Sequence, residues 1–191
     1  MKKIPTVFVR EYENHKVVNI TDEFTSDVTK DAFTNGIATI KYDGSCCAVI
    51  GGKLYKRYDA KKGKKPPQGA IPCCEADPIT GHHPHWVLVD ENNPADKWFI
   101  EAFKNGTVLG EPITEDGTYE AIGTHFQGNP HCLESDRLIR HGITKVEVER
   151  SFEGIKKYLE DNYIEGIVFW LNGEPVCKIK RSDFGFKWGA R

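Results

Sequence analysis

The stretch from residue 37 to residue 59 reads IATIKYDGSCCAVIGGKLYKRYD, and it decides the fold that the sequence predicts. A short run of apolar and β-branched residues ends at Lys41, and two further apolar runs follow Gly44. The Gly-Gly pair between those two runs is a turn signal, so we expect residues 46–58 to form a β-hairpin. Lys41 then lies at the end of a strand, as a surface charge or as a nucleophile at the mouth of a pocket.

The rest of the chain predicts many strands and few helices. Asn172-Gly173 is a second turn signal and makes 166–180 another hairpin. A helix is expected over 151–163 with Ser151 as its N-cap, and another over 95–106, ended by Gly106. We therefore predict an α+β fold with mainly antiparallel sheets and flanking helices. The predicted strands are 6–10, 37–41, 46–50, 53–58, 86–89, 107–109, 118–122, 166–171 and 175–180.

The length and composition of the chain limit the class of protein that it can be. The 191 residues, 39% of them hydrophobic, predict a single domain over 1–191. No apolar run approaches the ~18 residues of a membrane span, and the N-terminus does not resemble a signal peptide. We expect a cytoplasmic protein with no membrane partner and no obligate protein partner.

The net charge of -2 conceals a basic segment. Residues 53–65 carry seven lysines and arginines against one acid, Asp59. Such a segment is typical of a surface that binds a polyanion, and it is equally compatible with a solvated loop that binds nothing.

The six cysteines predict reduced thiols, because two adjacent pairs and no secretion signal disfavour disulfides. A structural zinc site is the second interpretation, since Cys73 and Cys74 precede His82, His83 and His85. The usual Cys-x-x-Cys spacing is missing there, which disfavours zinc.

If Lys41 is a nucleophile, other groups have to accompany it. A lysine attacks only as the uncharged amine, and attack on a nucleotide phosphate needs cations, a carboxylate for a metal and an acceptor for ribose hydroxyls. Glu120 and Glu165 are candidate carboxylates at strand ends. Lys178 and Lys180 are two residues apart, which places them on one face of a strand. That face either lines a cleft that binds anions or belongs to an edge strand whose lysines lie in solvent.

Four short motifs in order resemble nucleotidyltransferase motifs of the covalent ligase and capping-enzyme superfamily. They are KYDG (41–44), TYEAIG (118–123), EGIVF (165–169) and KIK (178–180). Three longer stretches, GTYEAIGTHFQGNPH (117–131), DRLIRHG (136–142) and DPITGHHPHW (77–86), resemble the small RNA ligase family that includes the vertebrate 5′-to-3′ RNA ligase. The resemblance covers most of 37–188, and we expect no counterpart for about the first 30 residues.

The resemblance implies a nucleotidyltransferase (ATP-grasp-like) core and ATP-dependent RNA ligation. Lys41 would attack the α-phosphate of ATP and hold AMP as a lysyl phosphoramidate. AMP would then pass to an RNA 5′-phosphate, and an RNA 3′-hydroxyl would displace it. The resemblance also implies that Glu120 binds the ribose and that Glu165 binds Mg²⁺ (or Mn²⁺). Lys178 and Lys180 would contact the α-phosphate, and Arg57 would contact phosphate or ribose. Asp43 and Gly44 would shape the loop that presents Lys41.

The chain also departs from the superfamily. Many members have an arginine soon after the first motif, where this chain has Ser45, Cys46 and Cys47. Only 11 residues follow Lys180, so we expect no OB domain, and the basic segment is the candidate RNA surface. Two alternatives stay open: a transferase limited to nucleotide transfer, as in capping guanylyltransferases, and a non-catalytic RNA-binding module.

Several other residues have two interpretations each. His125, Asn129 and His141 lie in the family-like stretches and would contact nucleotide or RNA, or have structural hydrogen-bonding roles. Trp86, Trp98 and Phe103 would stack on adenine or belong to the core.

Overall fold

The structure is a computed structural model that describes residues 3–14 and 16–189. The described residues pack into two compact units. We call residues 3–42 and 142–189 the three-stranded unit, and residues 43–141 the six-stranded unit. Met1, Lys2, His15, Ala190 and Arg191 of the predicted domain lie outside the described residues. The single-domain organisation over 1–191 stays a prediction.

The described residues form eleven strands, three α-helices and two 3-10 turns, Pro94–Asp96 and Arg181–Phe184. In chain order they are β1 (Phe8–Glu13), β2 (Lys16–Phe24), α1 (Asp27–Asn35), β3 (Ile37–Lys41), β4 (Ser45–Ile50), β5 (Lys53–Ala60), β6 (Ile71–Pro72), β7 (His83–Leu88), α2 (Lys97–Asn105), β8 (Gly117–Ile122), β9 (Arg137–Arg140), α3 (Phe152–Asp161), β10 (Gly166–Leu171) and β11 (Glu174–Lys180).

In the three-stranded unit, β10 lies between β3 and β11 and pairs antiparallel with both. Alternate residues of these strands, such as Phe169 and Ile179, are fully buried in one core with Phe33 of α1 and Leu159 of α3. Side chains alternate between the two faces of a strand, so the residues in between lie on the opposite face. β1 and β2 form a separate antiparallel ribbon.

Side-chain caps fix the starts of two helices in this unit. Ser26 accepts from the backbone of Thr29 and completes a capping box at α1. Ser151 accepts from the backbone N–H of Gly154 at the start of α3, which confirms the predicted N-cap. Each cap supplies an acceptor to an amide that has no partner inside its helix.

The six-stranded unit is an antiparallel sheet in the order β6-β7-β5-β4-β8-β9. Its core contains Cys47, Tyr119 and Leu138 from the sheet and Ala102 from α2. The β4–β5 turn has Gly51 and Gly52 at φ +57° and +72°, the two positive values that a type I′ hairpin turn requires.

The α+β class, the mainly antiparallel sheets, both hairpins and the two expected helices are confirmed. The predicted strand at 107–109 is wrong: Thr107 makes one isolated bridge to Leu138, and a turn follows. The sequence interpretation missed β2, α1, β6 and β9. Among the described residues, no helix is long and apolar enough to cross a membrane.

Candidate functional site

Three lysines lie together on the face of the three-stranded sheet that is turned away from its core. Lys41 of β3 pairs with Gly166 of β10, and Gly166 pairs with Lys180 of β11. Lys178, two residues before Lys180 on β11, pairs with Val168 of β10. Directly paired residues share a face, so the register places Lys41, Lys178 and Lys180 on one face, which we call the lysine face. The same-face prediction for Lys178 and Lys180 is confirmed.

Gly166 separates Lys41 from Lys180 without a side chain of its own. A Cβ at this position would lie 2.2 Å from the carbonyl oxygen of Ile179, closer than real Cβ contacts allow. The glycine that follows Glu165 in the EGIVF motif therefore has a steric reason.

The carboxylate of Glu165 accepts from two of these lysines. Lys41 Nζ donates to Oε2 at 2.6 Å, and Lys180 Nζ donates to Oε1 at 2.7 Å. The Glu165 side chain is only 4% exposed. A carboxylate this buried needs paired donors, and here each oxygen has an ammonium partner. The Glu165 carbonyl also accepts from the backbone N–H of Arg181 at 2.8 Å, which fixes the main chain.

Lys178 completes the lysine face without an ion-pair partner of its own among the described residues. Burial, followed by repulsion from Lys41, Lys180 and Arg10, lowers the pKa of Lys178 to about 8. Arg10 is itself paired with the buried Asp183 at 2.6 Å. Positive charge exceeds negative charge around Glu165, so the lysine face attracts an anion.

A second polar cluster lies in the six-stranded unit. Cys46 of β4 pairs directly with Glu120 of β8. His141 follows β9, and its Nε2 lies 2.8 Å from Glu120 Oε2. One ligand atom from each of the three residues lies within 4.8 Å of the other two. We call Cys46, Glu120 and His141 the acceptor cluster. Burial, followed by the charge of Glu120, raises the pKa of the Cys46 thiol to about 12.

Arg57 lies beside Cys46, and its charge acts against this rise in the thiol pKa. Its Nε donates to Asp59 Oδ1 at 2.8 Å. The structure thus brings Arg57, Cys46 and Glu120 together on one sheet, although its predicted nucleotide contact stays a prediction.

Asp43 and Gly44, which follow β3, are held by contacts within the six-stranded unit, to which they belong. A Cβ on Gly44 would lie 2.1 Å from the carbonyl oxygen of Ala121, so glycine is required. The side chain of Gln127 donates to the carbonyl of Gly44 at 3.2 Å, and the Asp43 N–H donates to His131 Nε2 at 3.1 Å. These contacts give Asp43 and Gly44 structural reasons for their positions, and their role in presenting Lys41 stays a prediction.

The zinc interpretation for residues 73–85 gains no support. Within residues 3–14 and 16–189, the group of three potential metal ligands is the acceptor cluster, which includes none of those residues. His83 Nε2 instead bonds to the carbonyl oxygen of Cys74 at 2.7 Å. All six cysteines are free, as the sequence predicted.

Ion pairs occupy two of the seven cations in the basic segment, residues 53–65. Lys56 is paired with the buried Asp96, and Arg57 with Asp59. The five remaining cations are exposed: Lys53, Lys61, Lys62, Lys64 and Lys65.

His125 and Asn129, the other candidate contacts to nucleotide or RNA, are bonded to residues of the protein itself. His125 stacks on Trp98 at 3.3 Å between ring centroids, and its Nδ1 lies 2.6 Å from the fully buried carboxylate of Asp136. Asn129 bonds through its side chain to the backbone of Leu133. The sequence interpretation did not predict that Cys46 lies beside Glu120 and His141. The available signal was that residues 45–47 differ from the arginine-containing pattern of the superfamily.

The fold and these clusters define an α+β protein that combines a lysine-rich sheet face with a separate group of acceptors. No match is found among models of protein families. RNA ligase 1 of Rattus norvegicus and RNA ligase 1 of Pongo abelii are each 27% identical to this chain over 271 residues, with 98% of this chain and 82% of the relative covered. RNA ligase 1 of Danio rerio is 27% identical over 137 residues, covering 56% of this chain and 42% of that protein.

The similarity supports a relationship with an RNA ligase family. Because 98% of the chain is covered, the alignment includes most of the first 30 residues. Our expectation that this segment has no counterpart is therefore wrong. The motifs quoted from the sequence begin at Lys41, which is why they gave no signal for the segment before it.

Proposed function

We propose that this protein is an ATP-dependent RNA ligase that works through a covalent lysyl-AMP intermediate. The observation that carries the proposal is the lysine face, where Lys41, Lys178 and Lys180 surround the buried carboxylate of Glu165. The relatives named RNA ligase 1 support RNA as the substrate. We further propose that the fold is a nucleotidyltransferase (ATP-grasp-like) core. The cytoplasmic location expected from the sequence stays a prediction.

In the first step, the uncharged amine of Lys41 attacks the α-phosphorus of ATP. A P–N bond forms, the P–O bond to pyrophosphate breaks, and the amine proton leaves to solvent. An ammonium has no lone pair, so the ion pair of Lys41 with Glu165 has to open before attack. Lys178 and Lys180 would donate to oxygens of the α-phosphate, where the transition state gathers negative charge.

Glu165 fits the role of a metal-binding residue. Carboxylate oxygens are ligands that Mg²⁺ prefers, and Mn²⁺ accepts the same donors. Mg²⁺ held there would neutralise charge that develops on the phosphoryl oxygens. The two lysines that now contact Glu165 would then be free to turn to phosphate.

Glu120 and Arg57 take the nucleotide-binding roles in the six-stranded unit. Glu120 is an acceptor, as ribose hydroxyl donors require, and His141 holds one of its oxygens in place. Arg57 would contact phosphate or ribose. In the second step an oxygen of an RNA 5′-phosphate attacks the phosphorus of the lysyl-AMP, the P–N bond to Lys41 breaks, and the amine takes up a proton. In the third step an RNA 3′-hydroxyl attacks the activated 5′-phosphate, loses its proton to solvent and forms the phosphodiester bond, and AMP leaves.

Whole-protein mass spectrometry after incubation with ATP and Mg²⁺ tests the first step. We expect a gain of one AMP in the wild type and none in Lys41→Ala. Lys157→Ala is the matched control, since Lys157 is an exposed lysine in a surface pair with Asp161. It should form the adduct normally. A wild type that binds RNA without an adduct would instead support the non-catalytic module.

Two label experiments narrow the chemistry. Incubation with labelled ATP or labelled GTP, followed by a denaturing gel, separates an adenylyl transferase from a guanylyl transferase. Incubation with RNA carrying a 5′-phosphate or a 5′-hydroxyl tests the end chemistry, because only the phosphate can accept AMP.

A further inference from the structure

We propose that Cys46, Glu120 and His141 form a binding site for Zn²⁺ that competes with the nucleotide. The proposal rests on the proposed function only for the competition. The binding of the ion stands on the donor set alone. Nothing in the RNA ligase similarity assigns a metal to these residues.

The three side chains bring together the kinds of atom that bind zinc. A thiol, an imidazole and a carboxylate are the three side chains that bind Zn²⁺ in proteins, and three protein ligands with an open fourth position is a common zinc arrangement. Mg²⁺ favours oxygen ligands and does not suit this set. The three ligand atoms come from β4, β8 and the residue after β9, and they already lie within 4.8 Å of one another.

The His141 ring has one nitrogen that no hydrogen-bond donor or acceptor matches among the described residues. His141 Nε2 is within hydrogen-bond distance of Glu120 Oε2, so in the neutral ring this nitrogen carries the proton and donates. The other ring nitrogen, Nδ1, is buried and has no hydrogen-bond partner among the described residues. Because Nδ1 has no partner to lose, the ring proton can move to it, which frees the lone pair of Nε2, the nitrogen beside Glu120, for a metal ion.

The surrounding charge permits a cation. Glu120 brings a formal negative charge, and Arg57 is the cation that lies beside Cys46. Asp59 pairs with Arg57 at 2.8 Å and offsets its charge. On binding, the Cys46 thiol would lose its proton to solvent and form a sulfur–metal bond.

The consequence is competition at Glu120. Zn²⁺ bound to the carboxylate of Glu120 would make that carboxylate unavailable to a ribose hydroxyl, so we expect the two ligands to compete. Bound Zn²⁺ would therefore inhibit AMP transfer to Lys41, whereas Mg²⁺ would support it through Glu165.

Cobalt provides a direct test, because Co²⁺ replaces Zn²⁺ and a thiolate–cobalt bond absorbs in the near ultraviolet. We expect metal-free wild type titrated with Co²⁺ to develop this band and Zn²⁺ to displace it. Cys46→Ser should remove the band, and His141→Gln should weaken Co²⁺ binding by at least about tenfold. Cys132→Ser, at an exposed cysteine, is the matched control and should keep the band. Circular dichroism checks that each variant is folded.

A wild type without the band, or a band that survives in Cys46→Ser, would overturn the proposal. Loss of the band in Cys73→Ser instead would move the metal to the 73–85 segment and overturn it too. A second measurement follows AMP labelling with and without Zn²⁺ within each variant, and the inhibition ratio should fall at least several-fold in Cys46→Ser. Cobalt binding needs no ligase activity, so failure of the ligase proposal leaves this result readable.

Discussion

The lysine face and the acceptor cluster both occupy antiparallel sheets, but they differ in how their polar groups are satisfied. On the lysine face, each oxygen of Glu165 has an ammonium partner. In the acceptor cluster, Glu120 receives a bond from His141, while a buried nitrogen of His141 lacks a partner among the described residues. The first region has spare donors and the second has spare acceptors.

This difference assigns different ligands to the two regions. Spare ammonium donors suit phosphoryl oxygens, which are anionic acceptors. Spare acceptors suit hydroxyl donors or a cation. A nucleotide carries both kinds of group, in its phosphates and its ribose, and each region suits one of them.

The largest expected effect comes from replacing Glu165 with glutamine. Glu165→Gln removes the charge shared by Lys41 and Lys180, so we expect AMP transfer to fall by about 10²–10³-fold. It should also lower the free energy of unfolding by about 2 kcal/mol, because two lysines lose their counter-charge. Single-turnover AMP labelling and urea unfolding measure the two effects.

Glu120→Gln is the matched control for that substitution. The amide oxygen can still accept from His141, so the free energy of unfolding should change by less than about 1 kcal/mol. Equal destabilisation by Glu165→Gln and Glu120→Gln would contradict the contrast between an ion-paired and an acceptor-rich region.

The basic segment should change RNA binding rather than folding. Replacing Lys61, Lys62, Lys64 and Lys65 with glutamine removes four exposed cations. If they contact RNA phosphates, the slope of log affinity against log salt should decrease by up to about 3, at about 0.7 per contact. Fluorescence anisotropy with labelled RNA over a range of salt concentrations measures the slope.

A charge-matched variant controls for net charge alone. It replaces four exposed lysines elsewhere in the chain: Lys16, Lys30, Lys104 and Lys157. A similar loss of slope in both variants would mean that RNA responds to net charge and not to the basic segment.

Local patterns explain which parts of the fold were predictable. The apolar runs and the Gly51-Gly52 and Asn172-Gly173 turns specify both hairpins within a few residues of sequence. The separation of two between Lys178 and Lys180 specifies their common face in the same way. α1 was missed because its sequence, DVTKDAFTN, has few apolar residues, and its cap pairs Ser26 with Thr29 instead of a glutamate.

The arrangement of the site depends on contacts that no local pattern contains. Lys41 meets Gly166 because β3 pairs with β10, far along the chain, and this register sets which side chains share a face. The pairing of Cys46 with Glu120 is of the same kind. The motifs supplied the residue types, while strand order and register supplied the distances among them.

On the lysine face, replacing Lys180 and replacing Lys178 should change the stability of the protein in opposite directions. Lys180→Met leaves Glu165 Oε1 without its donor, so it should destabilise the protein by about 1–2 kcal/mol. Lys178→Met removes a charge that is buried and repelled by its neighbours, so it should stabilise the protein by on the order of 1 kcal/mol at pH 7. Thermal unfolding of both variants measures this, and a loss of stability in Lys178→Met would contradict the assigned repulsion.

The smallest expected effect is the pH dependence of that stabilisation. The pKa of Lys178 is lowered to about 8 in the folded protein, whereas the unfolded side chain titrates near its ordinary value of about 10.4. Between these values the unfolded chain binds more protons, so the contribution of Lys178 to stability rises with pH and is most unfavourable below pH 8.

The difference in unfolding free energy between Lys178→Met and the wild type should therefore be constant below about pH 7 and decrease from pH 8 to pH 10. Subtracting the two curves removes other groups that titrate in this range, such as Tyr158, whose pKa burial raises. Urea unfolding at a series of pH values measures the difference. A difference that is flat across the series would show that packing, and not the charge shared with Lys41, Lys180 and Arg10, causes the stabilisation.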